Sequence, residues 1–125
     1  MGTPKLVVID DELEFAKVLD QFFRARGYEV SVALRGATGL QLIDEQKPDV
    51  VLIDLKMPGM DGDEVLVQIH RKHPAIKVII ITAYDEGTTR DRVLSLGAFA
   101  HFEKPLRSIA TLADTVKRAL VATDG

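Results

Sequence analysis

The chain has 125 residues, a net charge of -3 at pH 7 and no cysteine. This length suits one domain with its own core, and the lack of cysteine excludes a disulfide framework, a thiolate metal site and a thiol nucleophile. The acidic balance disfavours direct nucleic-acid binding, because such domains normally carry a basic patch. Neither a signal peptide nor a membrane span is predicted, so we expect a cytoplasmic protein with no membrane contact.

The first predicted unit is a strand, a helix and a strand. The apolar run at residues 5–9 ends at Asp10 and Asp11. Residues 12–26 follow with apolar side chains at helical spacing, and Gly27 is a typical stop before a second strand at residues 28–32. This alternation is typical of a parallel sheet with crossover helices.

The same alternation continues to the end of the chain. A short second helix should end before Pro48, since the residue preceding proline avoids helical geometry. Strand runs then end at Asp54, at Thr82 and, less clearly, at Lys104. Apolar residues at helical spacing mark the second, third and fifth helices: Ala37, Leu40, Ile43; Val65, Leu66, Ile69; Ile109, Leu112, Ala113, Val116, Leu120.

The fourth helix, predicted over residues 85–96, differs from the others. Its first half carries little apolar surface before Val93 and Leu94. We therefore expect it to be the least firmly packed of the helices.

Several strand runs end in a polar residue, and in a parallel sheet these ends share one edge. Ligands bind at that edge in open α/β sheets. Carboxylates crowded together there raise one another's pKa unless a cation neutralises them. Because hard oxygen ligands suit Mg²⁺, the residues alone indicate a magnesium site.

In order, Asp10-Asp11, the segment 54–62 (DLKMPGMDG), Thr82-Ala83 and Lys104-Pro105 resemble the receiver domain of two-component response regulators. The resemblance covers almost the whole chain. It implies a single doubly wound (βα)5 α/β domain, flavodoxin-like or CheY-like, with a five-stranded parallel sheet in the order 2-1-3-4-5. It also implies that residues 1–125 form one receiver domain, either standing alone or cut from a longer regulator or hybrid kinase.

The resemblance assigns Asp54 as the phosphoacceptor, in the manner of aspartyl-phosphate enzymes. It further implies that Mg²⁺ is bound by Asp11 and Asp54 directly, by Asp10 mainly through water, and by the backbone carbonyl of Lys56. The donor would be a phosphohistidine on a sensor histidine kinase or a histidine phosphotransfer protein. No enzymatic activity is expected beyond the domain's own phosphorylation and dephosphorylation.

Further site residues follow from the same resemblance. Lys104 should hold phosphoryl oxygens, with a cis peptide before Pro105. Thr82 offers a hydroxyl to the phosphoryl group, and Ala83 leaves room for it. The ring of Tyr84 should shield the acyl phosphate from water and slow its hydrolysis.

The resemblance also implies how the signal leaves the site. Thr82 would be coupled to position 101 on the fifth strand, where Tyr or Phe is usual and this chain has His101. We expect a partly exposed His101 on an output surface made by the fourth helix, fifth strand and fifth helix. A switch controlled by the protonation of His101 is the alternative, because histidine changes its charge near neutral pH. The side chain of Lys56 is, beside Tyr84, a second candidate for tuning the lifetime of the phosphoryl group.

Three other functions fit parts of the pattern. One is a pseudo-receiver that only binds partners, but the presence of the full set of acidic residues and of Lys104 argues against it. A phosphatase of the haloacid dehalogenase type needs a second Asp two residues after the nucleophile, where Lys56 stands. A flavodoxin-like FMN carrier needs a phosphate loop after the first strand, and Asp10-Asp11-Glu12 would repel a phosphate there.

Overall fold

The computed structural model describes residues 2–83 and 86–122. Its helices and strands, in chain order, are β1 (Lys5–Ile9), α1 (Leu13–Ala25), β2 (Glu29–Ala33), α2 (Gly36–Gln46), β3 (Val50–Ile53), β4 (Lys56–Met57), β5 (Met60–Asp61), α3 (Gly62–Lys72), β6 (Lys77–Thr82), α4 (Thr89–Ser95), β7 (Ala100–Glu103) and α5 (Ile109–Val121). Within the described ranges, no helix combines the length and apolar character needed to cross a membrane.

The central sheet has five parallel strands in the order β2-β1-β3-β6-β7. This is the predicted order 2-1-3-4-5 of the core strands, so the fold prediction is confirmed. The register aligns the strand ends: Ile9 lies opposite Ala33 and Ile53, and Thr82 lies opposite Glu103. The residues that follow these ends therefore share one edge of the sheet.

Backbone hydrogen bonds extend this alignment one residue past the strands. The N–H of Asp10 donates to the carbonyl of Ala33, and that of Asp54 donates to the carbonyl of Ile9, at 3.0 and 3.1 Å. The N–H of Lys104 likewise donates to the carbonyl of Thr82 at 3.0 Å. These backbone hydrogen bonds thus hold Asp10, Asp54 and Lys104 at the edge of the sheet.

Both faces of the sheet are covered. All four residues of β3 are at most 1% exposed, which explains why this strand is a continuous apolar run rather than an alternating one. One core cluster joins the sheet to α2, α3 and α4, and the other joins it to α1 and α5. The result is a three-layer α/β/α domain.

Local signals set the helix ends. α2 ends at Gln46, and the next residue, Lys47, caps it with a left-handed φ of 47°, directly before Pro48. α3 is capped by the carboxylate of Asp61, which accepts hydrogen bonds from the N–H groups of Asp63 and Glu64. The Lys104-Pro105 peptide bond is cis, as predicted.

The fourth helix is shorter than predicted. It covers Thr89–Ser95 rather than residues 85–96, and Gly87, with a φ of +85°, precedes it in a left-handed conformation. The buried hydroxyl of Thr89 accepts a hydrogen bond from the N–H of Glu86 at 3.0 Å, which closes a turn before the helix begins. Residues 86–88 are therefore not helical, and the predicted extent of this helix is wrong.

The segment after Asp54 is more ordered than the loop that its Pro-Gly content suggests. β4 and β5 pair antiparallel, with Lys56 opposite Asp61. The turn between them contains Gly59, whose φ of +71° is the conformation that a Pro-Gly turn requires at its second central residue. This hairpin leads directly into α3.

Candidate functional site

Asp54 lies at the centre of the sheet edge and is only 6% exposed. Its Oδ1 accepts hydrogen bonds from the hydroxyl of Thr82, at 2.7 Å, and from the backbone N–H of Lys56, at 3.0 Å. Its Oδ2 accepts a hydrogen bond from the ammonium of Lys104, at 2.9 Å. Each carboxylate oxygen is thus held by its own side-chain donor.

Lys104 gathers the acidic groups of this edge. Its ammonium is 2.7 Å from Oδ2 of Asp10 and also contacts the carboxylate of Glu12. The ring of Phe15 lies beneath the ammonium, 4.7 Å from the ring centroid. Burial alone would lower the pKa of Lys104, but the hydrogen bonds to Asp10, Glu12 and Asp54 outweigh it and raise that pKa. Lys104 is therefore cationic at neutral pH.

Asp10 is 2% exposed and is the most deeply buried carboxylate of the group. Burial raises its pKa, and the hydrogen bonds from Lys104 and from the N–H of Glu12 oppose this rise. A buried carboxylate of this kind gains free energy from any further cation placed beside it.

Among the described residues, the carboxylates that could share one metal ion are those of Asp10, Glu12 and Asp54, whose oxygens lie within 4.8 Å of one another. Asp11 is exposed and does not belong to this group. Sequence reasoning missed Glu12, although it directly follows the acidic pair. The Asp11 side chain and the Lys56 carbonyl stay predictions as metal ligands.

The remaining predicted residues surround this centre. Ala83 is exposed, and it lines a cavity of about 640 Å³ together with Glu12 and Lys104. The side chain of Lys56 is exposed. Tyr84 lies outside the described residues.

His101 is buried, at 9% exposure, so the prediction of a partly exposed side chain is wrong. It lies opposite Ile80 on β6, and Ile80 belongs to the core cluster that includes Val93 of α4. Paired residues of parallel strands project to the same face, so His101 lies on the covered face of β7 rather than on open surface.

Comparison with known proteins identifies relatives over nearly the whole chain. The family model described as "Response regulator receiver domain" matches residues 6–117. Sporulation initiation phosphotransferase F of Bacillus subtilis is 37% identical over 120 residues, covering 96% of each protein. Transcriptional regulatory protein ZraR of Escherichia coli is 36% identical over 118 residues, but this chain spans only 26% of it.

Solved structures agree with the sequence relatives. A CheY-like response regulator receiver domain protein from Methanospirillum hungatei has a TM-score of 0.90 and 28% identity, covering 95% of this chain and 94% of that one. Response regulator protein TrrA from Thermotoga maritima, in complex with Mg²⁺ and BeF, has a TM-score of 0.84 and 30% identity, covering 94% of this chain and 100% of that one.

Proposed function

The chain belongs to the response regulator receiver domain family and is a phosphoacceptor signalling domain of two-component systems. We propose that Asp54 is the residue that takes the phosphoryl group. The observation that carries the proposal is the pair of donors on Asp54: a hydroxyl on one oxygen and an ammonium on the other. A carboxylate serving only to cap a turn needs neither.

The transfer is a displacement at phosphorus. A carboxylate oxygen of Asp54 forms the new bond to phosphorus, and the bond between phosphorus and the donor atom breaks, with its electron pair leaving on the donor. For a phosphohistidine donor, that pair stays on the imidazole nitrogen. The donor is a sensor histidine kinase or a histidine phosphotransfer protein, a partner class that the resemblance to sporulation initiation phosphotransferase F supports.

Lys104 and Thr82 stabilise the charge that this step places on the phosphoryl oxygens. Both already donate to Asp54, so both lie within a small movement of a phosphoryl group attached to it. Phosphoryl transfer depends chiefly on positioning and on charge stabilisation, so a proton-transferring base is not required. Exposed Ala83 has only a methyl side chain and leaves an open approach.

The acidic group fits Mg²⁺ by the chemistry of its donors. Its carboxylate oxygens are hard ligands, and they converge within 4.8 Å although two of the three residues are buried. Asp10 and Asp54 would hold the ion, with Asp11 and the Lys56 carbonyl as further ligands. When bound, Mg²⁺ supplies positive charge that offsets the carboxylates and the phosphoryl oxygens.

We also propose that output runs through α4, β7 and α5. Thr82 ends β6 and contacts the acceptor, and His101 is buried on the adjacent strand β7, which packs against the short helix α4. A shift of Thr82 toward the phosphoryl group changes the space available to its neighbours on that side of the sheet. No activity is proposed beyond the domain's own phosphorylation and dephosphorylation.

Intact mass spectrometry after incubation with Mg²⁺ and acetyl phosphate tests the proposal. One added phosphate is expected on the wild-type protein, with none on Asp54→Asn and none when EDTA removes the metal. Asp49→Asn is a matched control, because Asp49 is exposed and lies before β3, and it should take one phosphate. If neither acetyl phosphate nor a histidine-phosphorylated donor modifies the wild type, the domain is a pseudo-receiver that only binds partners.

A further inference from the structure

We propose that Glu12 is a positioning residue that competes with the incoming phosphoryl group for Lys104 and thereby slows phosphorylation of Asp54. This inference rests on the proposed function and deepens it. It concerns a residue that sequence reasoning did not assign to the site.

Lys104 can donate only a limited number of hydrogens. An ammonium group has three. In this structure its nitrogen contacts three carboxylates: Oδ2 of Asp10 at 2.7 Å, Oδ2 of Asp54 at 2.9 Å, and Glu12. Three carboxylates thus surround a group that has three hydrogens, so a phosphoryl oxygen that binds Lys104 must displace one of them.

The three carboxylates that contact Lys104 differ in how firmly they are held. The side chain of Asp10 is 3% exposed and that of Asp54 is 8% exposed. Other donors also hold both: the N–H of Glu12 holds Asp10, and Thr82 holds Asp54. The side chain of Glu12 is 61% exposed and can turn into water at little cost. Glu12 is therefore the partner that the phosphoryl group displaces.

Glu12 lies on a side of the site from which a phosphodonor can approach Asp54. Glu12, Ala83 and Lys104 line the same cavity, and Lys104 contacts the acceptor Asp54. A donor that reaches Asp54 from this side meets the carboxylate of Glu12 before Lys104 is released. The contact thus lowers the availability of Lys104 in the unphosphorylated domain.

The rate of phosphorylation by acetyl phosphate at saturating Mg²⁺, followed by intact mass, tests this inference. Glu12→Gln keeps the size of the side chain and removes its charge, so it should be phosphorylated about two- to fivefold faster, the range expected for a partly exposed ion pair. Glu14→Gln is the matched control. Glu14 lies in the first turn of α1 and is exposed, and its variant should match the wild-type rate.

A double-mutant cycle separates competition for Lys104 from simple charge repulsion. In a Lys104→Ala background, Glu12→Gln should give no acceleration, because the group for which Glu12 competes is absent. An equal acceleration in both backgrounds would overturn the inference in favour of charge repulsion. A slower Glu12→Gln reaction with a higher Mg²⁺ requirement would overturn it too, and would make Glu12 a metal ligand.

The outcome for the wild type distinguishes this inference from the proposed function. A wild-type protein that takes up no phosphate removes the basis of both. A wild type that is phosphorylated at Asp54, together with a Glu12→Gln variant that is no faster, overturns the role of Glu12 alone.

Discussion

At Asp54, two side-chain donors divide the carboxylate between them. Thr82 is fully buried, and its hydroxyl donates to Oδ1 of Asp54. A buried donor aimed at a reacting oxygen is worth far more than an exposed one, because it needs no reorganisation when charge shifts.

Thr82→Val should therefore slow phosphorylation of Asp54 by about tenfold or more, since it removes the hydroxyl and nearly keeps the shape. Thr82→Ser is the matched control, because it keeps the hydroxyl, and it should stay within about threefold of the wild type. Initial rates with acetyl phosphate, measured by intact mass, report the difference. Equal rates for the two variants would show that the hydroxyl has no part in the transfer.

Lys104 is the cation on which the carboxylates of the site depend. Replacing it by Met removes the ammonium that contacts the carboxylates of Asp10, Asp54 and Glu12. Removing one partner of a buried ion pair typically costs about 3–5 kcal/mol, so Lys104→Met should lose about 3 kcal/mol of unfolding free energy in EDTA.

Urea denaturation with and without Mg²⁺ measures this effect. Mg²⁺ should restore part of the stability of Lys104→Met, because it supplies the missing positive charge. Lys117→Met, at an exposed position on α5, should change stability little under either condition. A Lys104→Met variant as stable as the wild type in EDTA would argue against a charge-neutralising role.

Between elements, α2 and α3 are linked by an ion cluster away from the site. Oδ1 of Asp44 on α2 lies 2.9 Å from Nε2 of His73, and Oδ2 lies 3.3 Å from the ammonium of Lys72. The hydrogen bond with His73, followed by that with Lys72, lowers the pKa of the Asp44 carboxyl from its ordinary value of 3.8.

A lowered carboxyl pKa stabilises the folded state above the unfolded-state pKa, and this contribution is lost as the pH falls through the folded-state pKa. NMR titration of the Asp44 carboxyl carbon should accordingly give a midpoint below 3.8. His73→Ala should move the midpoint up toward 3.8. His70→Ala, at an exposed position on α3, should leave the Asp44 midpoint unchanged. A midpoint insensitive to His73→Ala would contradict the link between Asp44 and His73.

The junction between the hairpin and α3 requires glycine for packing rather than for an unusual φ. A Cβ at Gly62 would lie 2.6 Å from the carbonyl oxygen and 2.7 Å from the Cα of Leu55. Both are backbone atoms and cannot turn away, so Gly62→Ala should cost about 1–3 kcal/mol. Gly2→Ala, with nothing within 4 Å, is the matched control. Urea midpoints measure the difference, and equal midpoints would contradict this close packing.

At the scale of the whole molecule, the sequence was sufficient to predict the sheet and its functional edge. Continuous apolar runs such as residues 50–53 indicate strands buried on both faces. Runs that stop at Asp54, Thr82 and Lys104 place those side chains together, because parallel strands end at the same edge. Periodicity and strand direction carry this information without any knowledge of tertiary contacts.

Features that depend on three-dimensional contacts could not be predicted in the same way. The burial of His101 depends on how the helices pack over the edge strand β7, and a short strand does not reveal this. The late start of α4 depends on a hydrogen bond between Thr89 and the backbone of Glu86. Glu12 joins the site because Lys104, distant in sequence, reaches across the edge to contact it.

The proposed function requires that the phosphoryl group is carried by Asp54 and by no other carboxylate of the site. Borohydride converts an aspartyl phosphate to homoserine, so reduction of the protein treated with acetyl phosphate and Mg²⁺, followed by peptide mapping, identifies the residue that carries the group. We predict homoserine at position 54 only. Unreduced Asp54, or reduction at Asp10, Asp11 or Glu12 instead, would contradict the claim.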